Sequence, residues 1–224
     1  MFILSNVQSG ILDILLAIFA LLMAMCVAIP AHEFAHAFAA KCEGDYTAVV
    51  CKRYTLAPHA HFDLKGFFFL FLFGFGWAKP VPVDSRNFKN GRKSQFKVSI
   101  AGICANLLLG VIFLFLYVLI YKIKPTFYFS STYGTLVYQF LNASISINFM
   151  LAFFNILPIY PLDGYKMIDS FSRYENKFLE FMKNYSIIIY FVLIFTGIYT
   201  LYYTYTAGAL MNFLLDLFKK LLKV

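Results

Sequence analysis

Two histidines one helical turn apart, with a glutamate between them, are the residues of this chain best suited to metal chemistry: His32-Glu33-Phe34-Ala35-His36. At about 100° per residue, four positions bring the two side chains within about 40° of each other on one helix face, the separation two imidazoles need to share an ion. Glu33 is offset by one residue, so it points beside such an ion, where a carboxylate can take a proton from a bound water. A catalytic zinc wants a third protein ligand and one open position.

No third histidine follows closely. The sequence Asn155-Ile156-Leu157-Pro158-Ile159-Tyr160-Pro161-Leu162-Asp163-Gly164 offers a carboxylate instead. Pro158 and Pro161 must interrupt a helix there, and non-helical backbone at membrane depth survives only where it is buried in protein or lines a cavity. Asp163 leaves that break beside a permissive glycine. It can serve as third ligand or as the N-cap of a following helix. His59-Ala60-His61-Phe62-Asp63 is a second polar cluster; on a strand its polar side chains would share one face. Ordering a loop is the expected role of His61 and Asp63, with a second metal as the alternative.

These residues must be positioned by membrane-spanning elements. Hydrophobic residues make up 61% of the 224 and charged residues 13%, against about 25% charged in average usage. Four apolar stretches are long enough to cross a hydrocarbon layer of about 30 Å: 11–40, 98–121, 136–157 and 187–205. The start carries no Lys or Arg before Lys41, so the first span is expected to be retained rather than cleaved as a signal. The stretch 66–84 is strongly apolar at first, too short to span, and ends in Lys79-Pro80-Val81-Pro82-Val83. It reads as a re-entrant hairpin, a small membrane-embedded β element with an extended edge.

If that hairpin returns to its own side, loops 41–66, 79–97 and 158–186 share one side and hold 14 of the 19 basic residues. The bias of basic residues towards the cytoplasm then puts those loops inside and the N-terminus outside, in the inner membrane of a cell. The net charge of +8 follows from this asymmetry and from contact with anionic lipid, and no aromatic-basic pattern asks for nucleic acid. Residues 209–224 form an amphipathic helix, lying on the membrane or extending the last span. The four cysteines read as small apolar residues, a Cys42–Cys51 disulfide being the lesser alternative. The expected fold is all-α and polytopic, one membrane-embedded domain over 1–224.

Burying the carboxylates also argues for a metal. An ionised group at depth costs about 2.5–3.5 kcal/mol on insertion scales, so Glu33 and a second acid cost about 5–7 kcal/mol together. Structural-zinc binding energies of about 10–16 kcal/mol are large enough to offset that, even reduced for an open site.

His32-Glu33-x-x-His36 joined to Asn155-x-x-Pro158-x-x-Pro161-Leu162-Asp163-Gly164 resembles the site-2 protease family of intramembrane zinc metalloproteases. The stretch Gly76 to Phe88 and the stretch Leu56 to Asp63 resemble its short bacterial members, which lack an appended peptide-binding domain. The resemblance implies one zinc per chain, held by His32, His36 and Asp163, with Glu33 as general base and Asn155 beside the site. It implies a cytoplasm-facing site and membrane-spanning or membrane-associated substrates.

Two departures stand out. The family's Gly-Pro-x-x-Asn is here Gly102-Ile103-Cys104-Ala105-Asn106, and Pro30 sits inside the first helix, where a kink is expected. Gly102, Asn106 and Gly110 recur every four residues, which suits close helix packing or a place near the site.

The expected chemistry is peptide hydrolysis, with Asn155, Asn106 and Val81 as substrate-binding residues and the substrate adding as a strand near Lys79 to Val83. The rivals are a zinc-binding but non-proteolytic scaffold and a transporter lined by Gln139, Asn142, Ser146 and Asn148. Loss of Glu33 or a ligand would mark the first, and an intramembrane relay of acids would mark the second. The chain shows neither.

Overall fold

The computed structural model describes residues 10–63, 65–66, 78–172 and 176–224. Among them the fold is helical. Three helices are long and apolar enough to cross a membrane: α1 (Ile11–Cys42), α4 (Arg92–Ile123) and α5 (Thr132–Asn155). Short helices α2 (Thr47–Val50) and α3 (Pro58–His61) lie between the first two. After α5 come α6 (Asp163–Phe171), α7 (Lys177–Asn184), α8 (Ser186–Phe195), α9 (Ile198–Tyr203) and α10 (Ala209–Leu222). The chain is thus a multi-pass membrane protein.

It divides into two compact units, and the long helices pass through both. One comprises 1–28, 107–151 and 199–224. Its α1 presents Ala17, Ala20, Ala24 and Ala28, all fully buried, along one face, while Leu12, Leu15, Phe19 and Met23 are exposed. Small residues inward and large ones outward is the pattern of a helix in lipid, where close backbone approach rather than hydrophobic burial holds neighbours together. Ala24 and Ala28 pack on Ala143 and Ile147 of α5. Gly110 of α4 lets the Phe149 ring approach so closely that an added Cβ would sit 2.9 Å from it. The polar residues of α5 turn onto backbone: Gln139 donates to Asp13 C=O, Asn142 to Tyr138 C=O and Asn148 to Ser144 C=O.

The other unit comprises 29–106 and 152–198. Here α1 and α4 run antiparallel, because Glu43 at the end of α1 meets Ser94 and Lys97, while His32, further back, meets Asn106. Cys42 and Arg92 therefore lie at the same end, and the chain between them returns to the side it left. Helix α1 is continuous through Pro30, which is fully buried.

Two expectations need correction. No strand occurs among the described residues; of the β element expected within 66–84 they hold one antiparallel bridge, Phe62 to Ala78. The physical reason is donor supply: Pro80 and Pro82 have no N–H, and that of Val81 goes to a side chain, so residues 80–82 give no N–H to a ladder. The apolar part of the expected hairpin, 67–77, lies outside the described residues. The fourth expected span, 187–205, is not one helix. It breaks after α8 at Gly197, whose φ of +74° no right-handed helix can hold, and α7 and α8 bend by 69°.

The tail expected over 209–224 is α10. Phe218 packs on Phe115 at 5.4 Å, and Phe213, Leu217 and Leu221 form an exposed apolar ridge. The four cysteines are free, so Cys42 and Cys51 are unpaired.

Candidate metal centre

Residues 32 and 36 project from one face of α1, as their spacing requires, and the antiparallel α4 supplies the surface they press on. His36 Nδ1 lies 2.7 Å from the Val98 carbonyl oxygen. A carbonyl has no hydrogen to give, so Nδ1 carries the proton and the lone pair is on Nε2. His32 Nδ1 lies 2.6 Å from Asn106 Oδ1, with the same consequence. Between these contacts sits Gly102: a Cβ there would lie 2.5 Å from His36 Nε2 and 2.6 Å from His32 Cε1. Val98, Gly102 and Asn106, four residues apart, thus make a seat on α4 that fixes both rings and both tautomers.

The third group arrives from α6. Gly164 makes the approach possible, since a Cβ there would stand 2.2 Å from Ile156 C=O. The N-cap position is Leu162, with no side-chain cap, so Asp163 begins the helix without capping it. Its carboxylate is free to turn inward, and it is buried at 3% exposure.

Asp163 Oδ2 is 3.0 Å from His36 Nε2 and 3.2 Å from His32 Nε2, and the two Nε2 atoms are 3.0 Å apart. With both ring protons committed elsewhere, two lone pairs and a carboxylate oxygen face one another in a buried triangle. A metal cation held among them would relieve that repulsion. Ligand arms of about 2.0–2.2 Å at tetrahedral angles put donor atoms about 3.3–3.6 Å apart, so the observed triangle is slightly tight for zinc and of the right size. The donor set, two imidazoles and a carboxylate, fits a catalytic zinc, which takes three protein ligands and leaves a fourth position for water. Lys166 Nζ sits 3.1 Å from the other oxygen, Asp163 Oδ1, holding it away from the triangle.

Glu33 is buried beside the ligands, and its Oε2 accepts the Val81 N–H at 2.7 Å. The Val81 side chain packs against Ala37, Ala48 and Tyr54. Asn155 ends α5, half-buried. Of the residues assigned to substrate from sequence, Asn106 is engaged with His32 and Val81 with Glu33. His61 lies in α3, not a strand; it is fully buried and bonded to Thr55 C=O at 2.7 Å. Asp63 accepts the N–H groups of Lys65 and Gly66, which orders the loop.

Below the site, charged groups tie the loop after Val81 to the end of α1. Asp45 accepts from Asp84 N–H at 2.8 Å and from Asn87 at 2.9 Å. Burial pushes its carboxyl up, but bonds from Thr47, Asn87 and the Asp84 and Thr47 N–H groups outweigh this and hold it below the usual range. The Arg86 guanidinium lowers Asp84 to about 2. Hydrogen bonds from Lys97 and Ser94 lower Glu43. Sequence reasoning missed these ties, the Val98 carbonyl and Lys166. Only Lys166, one turn after Asp163, carried a readable signal.

Residues 19–197 match the model of peptidase family M50. The chain belongs to peptidase family M50. This is the site-2 protease family that the two motifs resembled. A Bacillus subtilis (strain 168) protein described as "Putative zinc metalloprotease YwhC" is 36% identical over 192 residues, covering 84% of this chain and 86% of that one. No solved structure matches this one. As a member of M50 the chain is a metallopeptidase, and His32, His36 and Asp163 form a group that could hold its metal.

Proposed function

We propose that this protein hydrolyses peptide bonds of membrane-spanning or membrane-associated substrates at one zinc held by His32, His36 and Asp163. The observation that carries the reading is the buried convergence of the Nε2 atoms of His32 and His36 and one carboxylate oxygen of Asp163. When bound, the ion lowers the pKa of a water and polarises the scissile carbonyl. Glu33 takes the proton from that water and returns it to the leaving amine. Asn155 is assigned to the substrate backbone, supported by its place on the segment that leads to Asp163.

The reading extends to orientation. Arg53, Lys79, Arg86, Lys89, Arg92, Lys93 and Lys97 all belong to the stretch that leaves and re-enters at the Cys42–Arg92 end. This supports a site towards the cytoplasm, with the N-terminus outside the inner membrane.

The test compares wild type with Glu33→Gln on a membrane substrate captured by the variant and identified by mass spectrometry. Cleavage by wild type alone, with equal zinc in both, is the expected result. Equal behaviour of the two proteins would leave a zinc-binding scaffold.

A further inference from the structure

Between Ala78 and Asp84 the chain carries prolines at 80 and 82, which have no N–H. The Lys79 N–H goes to His61 C=O at 2.9 Å. Val81 therefore owns the one amide N–H between Lys79 and Val83, and it is the group that meets Glu33 Oε2. The segment is fastened on both sides of this contact. Arg53 Nη2 donates to Lys79 C=O at 2.7 Å and reaches Pro80 C=O at 3.4 Å. Beyond it, fully buried Asp45 holds the Asp84 N–H. The Val81 side chain, buried against Ala37 and Ala48 of the same unit, fixes the register.

We infer that Val81 is a positioning residue for catalysis, resting on the reading of Glu33 as the base of a zinc peptidase. Its N–H holds Oε2, sets the carboxylate rotamer and leaves Oε1 as the oxygen that receives the proton. A glutamate has three rotatable bonds, and misplacing a reacting group by about 1 Å costs about 100-fold in rate. Silencing the amides on either side removes competing donors, so this segment can offer the carboxylate one bond in one place. An N–H spent on Glu33 is not available to a substrate strand, which separates this role from substrate pairing.

Two measurements on the full-length, zinc-loaded protein in lipid nanodiscs test the assignment. Hydrogen–deuterium exchange of a peptide covering 79–84 reads the Val81 amide without reference to activity. We expect two slow amides, that of Val81 and that of Asp84 on Asp45, in wild type and in Glu33→Gln, which keeps an acceptor; in Glu33→Ala one of the two, that of Val81, should exchange at least about tenfold faster. Kinetically, Val81→Pro removes the N–H while keeping an apolar ring in the pocket. It should lower kcat about tenfold or more with KM and zinc content unchanged. Arg53→Met loosens the segment without altering Val81 and should lower kcat by less, with faster exchange; it carries the test where Val81→Pro does not fold. Equal exchange in wild type and Glu33→Ala, or a raised KM at constant kcat in either strap variant, overturns the inference. An inactive wild type with a slow Val81 amide would instead sink the peptidase reading and leave the hydrogen bond standing.

Discussion

His32 Nδ1 lies 2.6 Å from the side-chain oxygen of Asn106, and that contact decides which nitrogen of His32 faces Asp163. Asn106→Leu removes the acceptor and frees the ring to rotate or change tautomer. Losing such an outer partner typically lowers metal affinity about 10–100-fold. Chelator competition should show a fall of that size for Asn106→Leu and a smaller one for Asn106→Asp, which keeps an oxygen. An unchanged affinity would mean that Asn106 serves the substrate rather than the ring.

Gly102 should be the least replaceable residue of α4. A Cβ there would stand 2.5 Å from one ligand nitrogen and 2.6 Å from the other ring, so Gly102→Ala must push both imidazoles off the triangle. Zinc stoichiometry should fall well below one per chain while the helices persist by circular dichroism. Gly110→Ala is the control: its Cβ would meet the Phe149 ring, so zinc should stay bound and only stability fall, by about 1–3 kcal/mol for overpacking.

The sequence exposed the metal centre unevenly. His32, Glu33 and His36 were readable because helix periodicity alone places them. Asp163 was readable because two prolines beside a glycine mark a break that needs a reason. For Gly102 and Asn106 the spacing gave a shared face, but not which helix met it, since that depends on tertiary packing. The Val98 carbonyl leaves no trace in residue type. The β element was read from an apolar run too short to span that leads into Lys79 to Val83; among the described residues it comes to one bridge, because Pro80 and Pro82 remove donors and the remaining N–H, that of Val81, is taken by Glu33, which residue type alone did not show. The break at Gly197 was missed because a glycine inside an apolar run is compatible with helix until its φ is known.

Acid should release the loop that follows Val81. The folded pKa values of Asp84, about 2, and of Asp45 and Glu43 lie below their ordinary values. A lowered folded pKa contributes stability above the unfolded value, near 4, and loses it as pH falls through the folded one. The tie from Asp84 should therefore hold at pH 5 and fail between about pH 4 and pH 2, and that from Asp45 should fail only below the ordinary carboxylate value. Pepsin cleavage at Phe88 should accelerate across that window in wild type. In Asp45→Asn the acceleration should begin at higher pH or be present throughout.

Gly164 couples the fold to the metal. Its missing side chain lets the first turn of α6 lie against the end of α5, and a Cβ would stand 2.2 Å from Ile156 C=O and 2.6 Å from Leu157 C=O. Both obstacles are backbone, which cannot rotate aside as a ring can, so Gly164→Ala must move α6 and carry Asp163 with it. A ligand that binds only the folded state stabilises it by about 2.7 kcal/mol at 100 times its Kd. Wild type should therefore melt at a distinctly higher temperature with zinc than with a chelator, and Gly164→Ala should lose most of that difference as well as melting lower in both. Asp163→Ala separates the two effects. It should erase the zinc-dependent difference while leaving α6 in place, so that any fall in the melting temperature of the chelated protein reflects only the lost contacts of Asp163 with His32, His36 and Lys166. A Gly164→Ala protein that kept the full zinc-dependent difference would show that α6 can shift without moving the carboxylate, and the close packing at Ile156 would then have no part in metal binding.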